Sequence, residues 1–301
     1  MAKKIPQIVK KIQKNPPDSI DYSFQKNISY SQLTMYKQCP HKWKLHYKDK
    51  IPQREPNIYM IFGIAIHETI QHYLTVFYEK SKVKANEIDL VEIFQTSLME
   101  EYKKQYKSNK NTHFSSAKEM REFFEDGVAI LEFFKKKVGG YFSKRNTHLV
   151  GIELPILNRP NKMLNNIFYM GYLDVVLYNE ATDTFDIIDI KTSTSGWNDR
   201  IKKDEDKQFQ LILYKQYFAE QYGIPLDKID IKYFIVKRKI WEKSDWPQKR
   251  IQEYSPASGK IKVNKAKNAI LEFMSQVFNS NGEIKDQKYP CKCGQCQTIW
   301  T

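Results

Sequence analysis

Between Val150 and Ile190 the chain carries three successive runs rich in Val, Ile, Leu and aromatic residues: Val150–Leu157, Ile167–Tyr178 and Phe185–Ile190. Nothing else in its 301 residues restricts the fold as tightly. The polar stretch Asn179–Thr184 joins the last two runs as a turn, so they read as a hairpin. After Lys191 come a polar loop, a helical pattern from about Glu205 to Tyr222 and another β-rich run, Ile229–Val236. Strand, helix, strand in that order implies an α/β fold in which a mixed sheet carries packed helices.

Among the charged residues that interrupt the hairpin, three stand out. Asp174 follows Gly171-Tyr-Leu, and Asp189 and Lys191 stand two apart in Ile-Ile-Asp-Ile-Lys-Thr. Strand side chains alternate, so Asp189 and Lys191 share one face while Ile188 and Ile190 enter the apolar one. If the hairpin pairs as read, Asp174 approaches from the neighbouring strand and the two carboxylates offer oxygen ligands to a hard cation. Mg²⁺ or Mn²⁺ held in that way can polarise a phosphoryl oxygen and activate a water, with Lys191 orienting the water or offsetting charge. The same three residues taken alone equally describe a surface ion pair across two strands.

Upstream, residues 1–27 are Lys-rich and broken by Pro16-Pro17, and they read as a basic, loosely packed arm. Residues 28–148 read as helical. Ser31 caps a short helix bearing Leu33 and Tyr36 and stopped by Pro40. A second helix, about 59–80, is marked by Ile66, Ile70, Tyr73, Leu74 and Phe77 and carries His67. Two more are expected over about 85–107 and 116–142, the latter opened by the capping box Ser116-Ala-Lys-Glu119. The catalytic α/β core occupies about 149–240. A last helix, 263–278, and a polar linker, 279–288, lead to a cysteine cluster, so that 260–301 forms the closing segment.

Lys and Arg number 49 against 35 Asp and Glu, a formal charge of +14. A polyanion is the partner this suggests, although a Lys-biased genome yields the same composition. No run approaches the roughly twenty apolar residues of a membrane span, and no apolar segment follows the basic opening. A soluble chain kept in a reducing cytoplasm is therefore expected, bacterial or, for a phage gene, that of the host. One cysteine lies at Cys39 and three crowd together as Cys291, Cys293 and Cys296, which suits a metal better than disulfides.

Several separate motifs together resemble the PD-(D/E)XK nuclease superfamily, in its branch of RecB-like and CRISPR-associated iron-sulfur exonucleases. They are Ser29-Tyr-Ser-Gln-Leu33 with Cys39-Pro40, Gly63-Ile-Ala-Ile-His67-Glu, Gly171-Tyr-Leu-Asp174, Asp189-Ile-Lys191 and Gln210-Leu-Ile-Leu-Tyr214. The resemblance runs from Ile28 to Cys296. It implies a restriction-endonuclease-like sheet with a helical N-terminal insertion and a C-terminal cysteine cluster. It also implies a catalytic metal held by His67, Asp174, Asp189 and the backbone carbonyl of Ile190, with Lys191 as catalytic lysine. Gln210 and Tyr214 match the branch's Gln-x-x-x-Tyr pair, with Gln208 as a competing glutamine. Glu153 occupies a place where relatives carry a further acid.

The branch's one-plus-three division of cysteines implies a structural 4Fe-4S cluster on Cys39, Cys291, Cys293 and Cys296. Here, however, the last three are separated by one and two residues, tighter than the family pattern, so Zn²⁺ stays open as the alternative.

What the resemblance implies is a metal-dependent DNA exonuclease of recombination, repair or nucleic-acid processing, acting on DNA, single-stranded ends included. A non-catalytic DNA-binding adaptor, an endonuclease and an RNase on the same fold are the competing readings. No Gly-x-x-x-x-Gly-Lys-Ser/Thr loop is present, so unwinding would require a helicase partner.

Overall fold

The computed structural model describes residues 5–15, 26–51, 55–164, 166–241, 248–294 and 296. The chain begins with α1 (Gln7–Lys14), β1 (Lys26–Ile28), α2 (Tyr30–Gln38) and α3 (Pro40–Trp43), followed by a π-helical turn over Lys44–Lys48. Next come α4 (Ile58–Glu79), α5 (Lys82–Asn86), α6 (Leu90–Ser108) and α7 (Ala117–Lys137). The strands β2 (Thr147–Asn158), β3 (Ile167–Asn179) and β4 (Thr184–Ser193) follow. The chain continues through α8 (Asp199–Lys203), α9 (Glu205–Tyr222), β5 (Ile229–Lys237), β6 (Ile251–Tyr254) and α10 (Lys260–Val277).

The six strands form one mixed sheet, β1-β3-β4-β5-β6, with β2 on the other side of β3. β3 and β4 pair antiparallel from Asn179↔Thr184 to Val175↔Ile188, and there the ladder stops. Beyond that point β3 pairs with β1 instead, parallel, over Ile167–Tyr169, while β4 continues beside β5 as far as Ser193↔Lys237. The sheet therefore forks between β3 and β4, and Asp174 and Asp189 are the first residues past the fork.

Each face of the sheet covers its own core. Leu33, Trp43, Ile187, Leu213, Phe218, Ile270 and Phe273 belong to the core that includes α2, α9 and α10. Ile188 and Ile190 pack with Ile66, Phe94, Ile130 and Phe134 on the face covered by α4, α6 and α7. The alternation expected for Asp189-Ile-Lys191 is thus present: its isoleucines fill the second core and its charges do not.

Helix ends follow capping chemistry. The Ser116 side chain accepts from Glu119 N–H, one half of the expected capping box, while the Glu119 carboxylate accepts from the Ser115 hydroxyl. The α2 cap is Ser29 rather than Ser31, its hydroxyl accepting from Gln32 N–H, so the helix begins earlier than expected. α9 has the expected bounds and ends on Gly223, whose φ of 66° is the left-handed closure that glycine takes readily.

The arm expected over residues 1–27 is not loosely packed where it is described. α1 buries Val9 and Ile12 completely against the sheet's first core, and its lysines point outward. β1 adds Lys26–Ile28 to β3. Residues 1–4 and 16–25, with the Pro16-Pro17 pair, lie outside the described residues.

Candidate active site

The fork leaves a gap in the β-ladder, and Asp174 fills it. Its Oδ2 accepts the backbone N–H of Ile190 at 2.7 Å, so a strand donor with no β3 partner is satisfied by a carboxylate. Holding the carboxyl there places it 3.5 Å from Nδ1 of His67, which α4 brings across from the second core. The Ile190 backbone carbonyl accepts a hydrogen bond from the His67 ring.

Opposite the fork, β2 contributes Glu153. Its φ of 48° is left-handed, a conformation that costs energy in a side-chain-bearing residue and is found at functional sites. Around it the alternation of β2 breaks: Ile152 packs on the second core and Leu154, two residues on, in the first. Glu153 is turned toward Asp174, and ligand atoms of His67, Glu153 and Asp174 all lie within 4.8 Å of one another. Gln71, one helical turn after His67, donates to Glu153 Oε1 at 2.5 Å and to the Asp174 carbonyl at 3.3 Å, fixing the acid's position.

Asp189 is almost wholly buried, 1% exposed, and its Oδ2 lies 2.7 Å from the Lys191 ammonium. The two meet as an ion pair at hydrogen-bond distance, and the carboxylate's remaining lone pairs keep acceptor capacity for a further ligand. Lys191 keeps 31% of its side chain open, enough to reach a ligand.

Burial raises the Asp174 carboxyl to about 7, with the Lys191 charge and the Ile190 N–H pulling it back and Glu153 pushing it further. Burial also raises Asp189 to about 6, against the Lys191 charge and with that of Asp174. His67 is held below its ordinary value by burial and by Lys191, so its imidazole is neutral near pH 7. Lys191, flanked by Asp189 and Asp174, is raised despite burial and stays an ammonium. The neutral imidazole of His67 and the carboxyls of Glu153 and Asp174 converge as a donor set that fits a hard divalent cation, and Asp189 borders that group without being one of the three.

α9 borders the acids from the first core. Gln210 Nε2 donates to the Tyr214 hydroxyl at 3.2 Å. Burial, together with the charges of Asp189, Asp174 and Glu153, raises the Tyr214 phenol, which therefore stays protonated. The motif glycine makes this possible: a Cβ on Gly171 would stand 2.8 Å from Tyr214 Cε1. Gln208 is engaged elsewhere, donating to the Lys202 carbonyl and to Tyr254 Oη, so Gln210 is the glutamine that meets Tyr214.

Sequence reasoning placed Glu153 only by analogy and missed Gln71. The second was legible, since Gln71 stands four residues after His67 on the same helical face.

The four cysteines also converge. Cys39, at the α2–α3 junction, lies 3.6 Å from Cys296 and 4.0 Å from Cys291, sulfur to sulfur. Cys293 lies 3.9 Å from Cys291 and 3.1 Å from Cys296. The protein part of this junction is built independently: His41 N–H donates to the Pro290 carbonyl, and Tyr289 packs on Tyr36 and Trp43.

No curated protein matches the chain. Among solved structures, a protein from Eubacterium rectale described as a putative exonuclease superposes with a TM-score of 0.51 at 13% identity, covering 93% of this chain and 92% of its own. SSO0001 aligns over 88% of this chain and 84% of its own at 13% identity, with a TM-score of 0.34 that is too low to bear on the fold. The sequence profile of the PD-(D/E)XK nuclease superfamily matches residues 27–300, from within β1 through the forked sheet to the cysteines. With nearly the whole chain matched and the acids gathered at the fork, this protein belongs to the PD-(D/E)XK nuclease superfamily.

Proposed function

We propose that this nuclease is a Mg²⁺- or Mn²⁺-dependent DNA exonuclease of recombination, repair or nucleic-acid processing, working from strand ends and relying on a separate helicase where unwinding is needed. The observation that carries the reading is the fork, where one strand's carboxylate caps the next strand's N–H beside a neutral histidine and a second acid. His67, Asp174, Asp189 and the Ile190 carbonyl would hold the cation, and Glu153 joins that set. A divalent cation in this position supplies Lewis-acid polarisation of a phosphoryl oxygen and lowers the pKa of water.

The chain's own groups do the rest. Lys191, kept charged by Asp189 and Asp174, orients the attacking water and offsets negative charge as the phosphorane forms. Glu153, held by Gln71, faces the same space and accepts the water's proton. Tyr214, bonded by Gln210, keeps a protonated hydroxyl beside the acids. The formal charge of +14 favours a polyanionic substrate.

A substrate panel tests the reading: linear single-stranded DNA, linear duplex, covalently closed circles and RNA, each with Mg²⁺ or Mn²⁺. Mononucleotides or short oligonucleotides released from linear DNA, with closed circles intact, support it. Nicked circles would instead identify an endonuclease, RNA cleavage alone a ribonuclease, and salt-sensitive binding without cleavage an adaptor.

A further inference from the structure

The cysteine site disagrees with the cofactor that the family resemblance implies. A 4Fe-4S cubane sets four irons between its ligating sulfurs and holds them about 6 Å apart. A single tetrahedral ion with metal–sulfur bonds of about 2.3 Å holds them about 3.8 Å apart. In this protein the four sulfurs of Cys39, Cys291, Cys293 and Cys296 all lie within 4.8 Å of one another. Three of the separations, 3.6, 3.9 and 4.0 Å, bracket the single-ion value. Cys293–Cys296, at 3.1 Å, falls below that range, a departure further from the cubane, not toward it.

The surrounding chain fixes one side of the site. Cys39 is wholly buried and caps α3, its sulfur accepts the Lys292 N–H at 3.4 Å, and Pro290 is bonded to His41. Cys291 and Cys293 are separated by one residue, which sets two ligands on one tight turn closed by Gly294 at φ 70°.

We propose that Cys39, Cys291, Cys293 and Cys296 form a mononuclear tetrathiolate zinc site in place of a 4Fe-4S cluster. Zn²⁺ has no preferred electronic geometry and no redox chemistry, so its role is to tie the C-terminal segment to the α2–α3 junction. The inference stands on the sulfur positions and is independent of the nuclease reading.

The test begins with protein produced in medium replete in both metals and purified without oxygen, followed by zinc, iron and acid-labile sulfide analysis. About one zinc per chain, no sulfide and no visible colour are expected. Replacing zinc with Co²⁺ should give the intense visible band of a tetrahedral tetrathiolate. Cys293→Ser, an exposed ligand, should lower zinc retention at least tenfold and shift that band. Where Cys293→Ser does not fold, thiol alkylation of the parent replaces it, with four cysteines protected until a chelator strips the metal. Iron and sulfide near four each per chain in a brown protein overturn the proposal. So do zinc retained unchanged by Cys293→Ser and a metal-free protein with a Cys293–Cys296 disulfide.

Discussion

Replacing Asp174 by Asn should stabilise the metal-free protein while destroying its metal site. In the folded chain burial raises this carboxyl from 3.8 to about 7, although the Lys191 charge and the Ile190 N–H act against the rise. A group with a raised folded pKa contributes stability that is complete below the unfolded value and is lost as pH rises through the folded one. The loss therefore opens between pH 4 and 7. At pH 8 it reaches about 4 kcal/mol, the full difference at about 1.4 kcal/mol per pH unit. Asparagine keeps an oxygen for the Ile190 N–H and carries no charge, so it escapes this cost. At roughly 2 °C per kcal/mol for a chain of this size, Tm of the variant at pH 8 should exceed that of the parent by about 8 °C in chelator. The gap should vanish by pH 4. Adding Mn²⁺ should raise the parent's Tm and leave the variant's unmoved. Thermal unfolding followed by circular dichroism across pH 4–8 reads all three. A variant less stable than the parent at pH 8 in chelator would refute the reasoning, because the carboxylate would then be a net stabiliser without any cation.

Further outcomes follow from the same geometry. Metal affinity should rise from pH 5 to 8 as Asp189 (about 6) and Asp174 (about 7) ionise, with proton release seen by calorimetry in buffers of different ionisation enthalpy; affinity that is flat with pH would contradict the shifts. Gly171→Ala, whose new methyl meets Tyr214 at 2.8 Å, should lower kcat roughly tenfold, an order-of-magnitude figure for a displaced positioning group, with Tm little changed. Ile12→Ala, at a position with no exposure, should cost about 2–4 kcal/mol in denaturant unfolding; a cost near zero would return α1 to the status of a loose arm. Gly127→Ala, which drives a methyl to 2.3 Å from the Phe94 ring, should destabilise by about 1–3 kcal/mol through overpacking.

Strongly periodic segments are legible in the amino-acid sequence itself. The β3–β4 hairpin, the α9 bounds and the placing of Asp189 and Lys191 on one face all follow from alternation, turn chemistry and capping. Short or composition-masked elements are not legible in this way. α1 hides one apolar stripe, Val9 and Ile12, within a Lys-rich stretch, and β1 is too short to show a period. β6 becomes a strand by pairing with β5 at Val236↔Ile251 and beyond, a partner no local pattern reveals. Ser29 and Ser31 offer the same capping chemistry, and only the backbone decides between them.

At the site, residue types were readable and the fork was not. A hairpin continued past Val175 would have paired Asp174 across from Asp189 like any other cross-strand pair. The exchange of β4 for β1 along β3 is what frees the Ile190 N–H and turns Asp174 into its cap. Glu153 enters through a left-handed φ that its residue type does not announce.

The most direct measurement is the rate at which Asp189→Asn degrades end-labelled linear DNA in Mg²⁺, beside the parent and with binding followed in the same buffer. Asparagine matches the buried side chain in shape, so folding and DNA binding should persist while cleavage falls by roughly a hundredfold or more, the scale of losing a principal electrostatic group. Cleavage at the parent's rate would contradict the assignment of the fork as a metal-dependent nuclease centre.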